Sequence, residues 1–203
     1  MARTLQSLGA LGHYTISVKT GAIGAGAGAD SEIFHFRWTD TDDLAVIYEI
    51  SLTGVYATTA FAVGGIDFKA TVARAWTAVG SGGTALTMTG DQAALRTSMG
   101  TSLVGDARVA TTAALTAGTK TLDTQDLGRI TTHSSGGWSA ATPIIGSIYL
   151  PKTVLFKADV ASGEYPLILK EEEGFVVRAT VPATGVWLAG ILVKWAEVEE
   201  EKF

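Results

Sequence analysis

Apolar and polar positions alternate with a period of two along much of the chain, most clearly near its C-terminal end. Phe175, Val177, Ala179 and Val181 fall on one face, Val176, Arg178 and Thr180 on the other. After Pro182-Ala183-Thr184-Gly185, a second run puts Trp187, Ala189, Ile191, Val193 and Trp195 opposite Val186, Leu188, Gly190 and Leu192. The pattern predicts two long strands joined by a turn into a central hairpin, fed by a short apolar strand at 166–169. Lys170-Glu171-Glu172-Glu173-Gly174 reads as a tight turn whose glycine can take a positive φ. The last strand is apolar on both faces and is expected to be central and covered on both sides.

The same period recurs upstream. Tyr14, Ile16 and Val18 mark a first strand, and Phe34, Phe36 and Trp38 a second. In 44–53, Leu44, Val46, Tyr48, Ile50 and Leu52 are expected inward, with Ala45, Ile47, Glu49, Ser51 and Thr53 outward. In 66–76, Ile66, Phe68, Ala70, Val72 and Trp76 share a face with Arg74, which belongs near a rim or beside a carboxylate. Short strands are expected at 108–115, 120–122, 144–150 and 153–156, and one helical turn, capped by Asp91, at 92–96. Together these predict an all-β, antiparallel β-sandwich over residues 31–203. Residues 1–30 form an extended N-terminal arm that includes the first strand and a glycine-alanine connector.

Leu5, Leu8 and Leu11 recur every three residues among glycines, as in an arm that docks elsewhere. Trp138, between Gly137 and Ser139 in a polar loop, either meets a partner or folds back on the sheet edge. These four residues are the candidate assembly contacts.

Composition narrows the chemistry. There is no cysteine in 203 residues, which excludes thiolate metal sites and disulfides and fits a reducing cytosol. A net charge of -5 offers no basic footprint for nucleic acid. No apolar run reaches the ~20 residues that would span a membrane as a helix. The 24 glycines suit a body with many turns.

Gly24-Ala25-Gly26-Ala27-Gly28-Ala29 formally satisfies a dinucleotide fingerprint, but a strand rather than a helix follows it. Asp40-Thr41-Asp42-Asp43 lacks the rest of a calcium loop and reads as an Asp-rich turn. Gly80-Ser81-Gly82 lacks the spacing of a nucleophile elbow. His13, His35 and His133 have no metal-ligand spacing, and read as surface or strand histidines. The acids cluster in turns and in a solvated C-terminal end of Glu197, Glu199, Glu200 and Glu201. The expectation is therefore no catalytic residue, no metal and no cofactor, hence not an enzyme.

Several blocks in order carry a resemblance. They include Phe36-Arg37-Trp38-Thr39, Ala73-Arg74-Ala75-Trp76, Gly82-Gly83-Thr84-Ala85 and Arg96-Thr97-Ser98-Met99-Gly100. Arg108-Val109-Ala110-Thr111-Thr112-Ala113-Ala114-Leu115, Gly118-Thr119-Lys120-Thr121-Leu122-Asp123 and Glu164-Tyr165-Pro166-Leu167 continue the series. It closes on Gly174-Phe175-Val176-Val177-Arg178 and Trp195-Ala196-Glu197. Over 36–197 this resembles small virion structural proteins of tailed bacteriophages. The resemblance implies a jelly-roll decoration or cement protein on the capsid, made in the bacterial cytoplasm and resident in the virion. Its implied partners are further copies of itself, as a trimer or dimer, and the major capsid protein, with neither nucleic acid nor membrane involved. A tail, collar or fibre part, or a jelly roll that binds glycans through an aromatic such as Trp138, is the alternative. If the arm grips the capsid, removing residues 1–28 is expected to abolish binding and spare the β fold.

Overall fold

The computed structural model describes residues 10–24, 29–90, 92–96, 98–134, 148–159 and 162–202. In chain order the strands are β1 (Ala10–Lys19), β2 (Ser31–Trp38), β3 (Asp43–Thr59), β4 (Gly64–Ala78), β5 (Thr84–Ala85), β6 (Val104–Val109) and β7 (Thr119–Leu122). They continue as β8 (Gly128–Ser134), β9 (Ile148–Leu150), β10 (Thr153–Lys157), β11 (Leu167–Leu169), β12 (Glu173–Thr180) and β13 (Val186–Glu199).

All pairings are antiparallel. Sheet A runs β1-β13-β3, and β9, β10 and β11 share the far edge of β3. Sheet B runs β5-β6-β2-β12-β4, with β7 and β8 along the far edge of β4. The pairing is nested: β1 with β13, β2 with β12, β3 with β9 to β11, and β4 with β7 and β8. One long hairpin rolled up in this way is a jelly roll, here with β5 and β6 added beyond β2.

Nesting corrects the expected hairpin. β12 lies in sheet B between β2 and β4, β13 lies in sheet A between β1 and β3, and residues 181–185 cross from one sheet to the other. Alternation reports which residues face the core, and both strands point the expected residues there. It carries no information about which sheet receives each strand. The turn before β12 also differs, since Glu172 takes the positive φ (59°). Gly174 is instead a strand residue packed against the Phe36 carbonyl and, at 2.8 Å from where a Cβ would sit, the Trp76 ring.

Two bulges in β3 correct its inward face. Opposite the consecutive residues Lys194 and Trp195 stand Glu49 and Ile47, so Tyr48 is extra; opposite Gly190 and Ile191 stand Gly54 and Leu52, so Thr53 is extra. Each extra residue inverts the alternation. The core therefore receives Ala45 and Ile47, then Ile50 and Leu52, then Val55 and Ala57. Val46 and Tyr48 turn to the outer face, beside Ala196 and Val198.

Trp76 departs from its expected face for a similar reason. Ala75 has φ 47°, which breaks the alternation and sends Trp76 to the outer side of sheet B with Ala73 and Val176. Arg74 is half-exposed and held by Asp123 (3.0 Å) and Glu173 (2.6 Å). Residues 92–96 form no helix. Ala94 bridges to Tyr14, and Leu95 donates its N–H to the His13 carbonyl, so this stretch lies along the edge of β1. β1 itself pairs along its length with β13, and Ile23 exchanges both backbone hydrogen bonds with Trp187. The first strand is thus an edge of the sandwich, and the chain stays fixed to sheet A as far as Ile23.

Between the sheets lie Trp38, Trp187 and Trp195 with Phe34, Phe36, Phe68 and Phe175, all fully buried. Phe36 stacks on Phe175 (5.3 Å), Tyr14 on Trp195 (5.4 Å), and Phe68 meets Trp187 edge-on (5.6 Å). Each such ring contributes about 1.5–3 kcal/mol by leaving water.

Candidate functional site

The two outer faces differ in character. On sheet B, alternation places His35 opposite the core-facing Phe34 and Phe36, and the side chain is 0% exposed. Its Nδ1 lies 2.7 Å from Glu32 Oε1 and its Nε2 2.6 Å from Asp106 Oδ2. A carboxylate on each ring nitrogen calls for an imidazolium donating both protons. Burial pulls the His35 pKa down, but the bonds to Asp106 and Glu32 outweigh it and raise it above the ordinary histidine value.

The Lys120 side chain is 2% exposed; it donates to Glu32 Oε2 at 2.7 Å and sits 4.2 Å over the Trp76 ring. Burial holds its pKa below the ordinary lysine range. Arg108 Nε reaches Asp106 at 3.2 Å, and Leu115 donates its N–H to the Glu32 carbonyl. The cluster clamps the β6–β7 connection onto β2.

A second ladder continues across the same face. Lys69 contacts Asp30 at 2.5 Å, Thr71 donates to Asp126 at 2.8 Å, and Arg129 joins Asp126 (2.5 Å) to Asp67 (3.2 Å). Sheet B is thereby closed by its own charges.

Sheet A carries an open groove of about 440 Å³, bordered by Ser17, Lys19, Thr53, Tyr56 and Pro151. Gly190 of β13 stands opposite Gly54 of β3; the floor is bare backbone at Gly54, while the Thr53 hydroxyl lies over Gly190. Beside it, Glu49 accepts from Lys194 (2.8 Å), Lys152 (2.9 Å) and Ser51 (3.1 Å). Burial raises the Glu49 pKa, but the two lysines and the serine more than reverse this and bring it down to about 2.

At one end of the sandwich Asp40 Oδ1 accepts the N–H groups of Asp42 and Asp43, so this stretch is a hydrogen-bonded turn. Glu197 departs from the expected solvated end. It is buried and accepts from Ser102 Oγ (2.7 Å), Leu103 N–H (3.1 Å) and Trp195 Nε1 (3.1 Å), and burial raises its pKa. Among the described residues no group of three or more His, Asp or Glu is arranged to hold a metal, and no helix is long and apolar enough to cross a membrane.

Of the four expected assembly contacts, Leu11 lies on β1 with 42% of its surface exposed. Leu5, Leu8 and Trp138 lie outside the described residues. Sequence reasoning missed both the His35 cluster and the groove. The only local signal for the first is Glu32 three residues before His35, and for the second the glycines at 54 and 190, which become neighbours only once β3 and β13 pair.

No protein-family model matches the chain, and no curated protein does. Among solved structures, the VP1 protein of Trichodysplasia spinulosa-associated polyomavirus aligns over 93% of this chain and 96% of its own. In its complex with GM1 oligosaccharide the identity is 12% and the TM-score 0.34. In its complex with sialylated precision glycooligomers the identity is 10% and the TM-score again 0.34. Likeness at that level bears on neither ligand nor assembly. The jelly-roll winding stands on the strand order of this chain.

Proposed function

We propose that this protein is a structural part of a virus particle, of the kind that decorates or cements a tailed-bacteriophage capsid, and that it is not an enzyme. It acts by association with itself, as a trimer or dimer, and with the major capsid protein. The observation that carries the reading is the nested jelly roll with sheet B sealed by its own ion pairs. Such a body leaves its ends and the outer face of sheet A to neighbours, and jelly rolls of this build recur in viral capsid domains. A fold class hosts many functions, so the tailed-phage branch is supported by the ordered sequence blocks over 36–197. Cyclic symmetry lets weak individual contacts act together, raising avidity by ~10² to 10⁴.

Mass spectrometry of purified particles, with copy number, tests the reading. Decoration requires a stoichiometry that follows the capsid lattice, whereas a copy number of a few per particle, or absence from particles, refutes it. The arm is tested separately. Because β1 belongs to sheet A, removal of residues 1–28 would strip an edge strand, and the cut belongs before Ala10. A chain starting at Ala10 is expected to keep its circular dichroism and lose particle binding. Full occupancy by the shortened chain would refute the arm's role.

A further inference from the structure

We propose that the groove on the outer face of sheet A is a binding site for a short acidic oligosaccharide, independent of any role in a particle. The shape comes first. Gly54 leaves the backbone bare beside the Thr53 hydroxyl, so a ligand can approach the peptide plane there, and the volume of about 440 Å³ falls within the range of small-ligand sites. The Thr53 hydroxyl occupies the place that a Cβ on Gly190 would take.

The chemistry of the walls selects the ligand. Tyr56, on one side, is 39% exposed and offers a ring face together with a hydroxyl. Ser17, Thr53 and Lys19 supply two further hydroxyls and an ammonium. Among the described residues none of these four side chains has a hydrogen-bond or ion-pair partner within the protein, whereas nearby Lys194 and Lys152 are both taken by Glu49.

An aliphatic occupant would gain contact with Val18 and Pro151 but would leave four polar groups stripped of water, at about 1–3 kcal/mol each by the usual desolvation cost. A sugar ring presents a C–H face to the tyrosine and hydroxyls to Ser17 and Thr53. A carboxylate on the sugar pairs with Lys19.

The probes are oligosaccharides ending in a hexuronate and the same chains ending in the neutral hexose, read by saturation-transfer NMR and isothermal titration. The acidic chains are expected to bind more tightly, with Tyr56→Ala weakening them about tenfold. Lys19→Gln is expected to remove the preference for the acidic chain while leaving weak binding of both. Lys19 is an exposed residue, so this variant keeps the test decisive if Tyr56→Ala lowers the thermal midpoint. Binding of neither chain, binding unchanged in both variants, or equal binding of acidic and neutral chains to the unaltered protein overturns the proposal. So does a change of sedimentation coefficient in the groove variants, which would make the groove a contact between copies.

Discussion

Raising the pH should loosen the clamp around His35, and the size of the effect follows from its hydrogen bonds. As an imidazolium, His35 donates to Glu32 at 2.7 Å and to Asp106 at 2.6 Å. A neutral imidazole has one N–H, so one of those carboxylates would face a ring lone pair at the same distance. The loss is one hydrogen bond to a charged group, about 1.5–3 kcal/mol, partly offset because Glu32 keeps Lys120 and Asp106 keeps Arg108.

The His35 pKa is raised in the folded protein. Its stabilisation is therefore complete below the unfolded value of about 6.5 and is lost as pH climbs through the folded value. For a chain of this size about 2 kcal/mol is worth about 4–8 °C of Tm. Lys120 titrates in the opposite sense, since its folded pKa is lowered. The assay is calorimetry from about pH 5.5 to about pH 9 on the protein and on His35→Gln, whose difference cancels the titrations outside the His35 cluster. The protein should lose about 2 kcal/mol relative to the variant over that range. Parallel curves, or a protein that gains on the variant as pH rises, would mean that His35 is buried neutral and the reasoning is wrong.

Glu49 should govern part of the acid limb. With its folded pKa lowered to about 2, its contribution is present above the unfolded value of about 4.5 and disappears as pH falls towards 2. Because Lys152 and Lys194 are half-exposed, screening limits it to about 1–2 kcal/mol. Glu49→Gln should flatten urea midpoints between about pH 5 and about pH 2, and an unchanged acid limb would remove the assignment. Gly174→Ala should cost about 1–3 kcal/mol in urea unfolding, because its Cβ meets the Phe36 carbonyl and the Trp76 ring. A neutral result would show that β12 can shift between its two neighbours.

Strand positions were readable because each long strand needs an apolar face. Tyr14, Ile16, Phe34, Phe36, Phe68, Phe175, Trp187 and Trp195 all lie in the core their spacing assigns. Face assignments failed where the backbone departs from regular alternation. The bulges at Tyr48 and Thr53 come from pairing, which no local pattern records, and the positive φ of Ala75 has no signature in its alternation either. The buried ionic cluster was hidden for a related reason. Glu32 and Lys120 are 88 residues apart in sequence, and His35 and Asp106 are 71 apart. A reading that takes acids in turns as solvated cannot see them meet. The groove was equally illegible, since two unremarkable glycines acquire meaning only as cross-strand neighbours.

The nested winding also constrains how the chain is made. Ala10 pairs with Val198, so β1 must wait for β13 to be synthesised before that edge is satisfied. At ~5–20 residues per second, that interval is roughly 10–40 s. For that time the edge of β1 that will meet β13 is unpaired in a crowded cell, and its closure belongs to the slow end expected of distant pairings. A chaperone that shields the nascent strand, or a neighbour's last strand borrowed in its place, would decide whether the product is a single folded chain or an exchanged one.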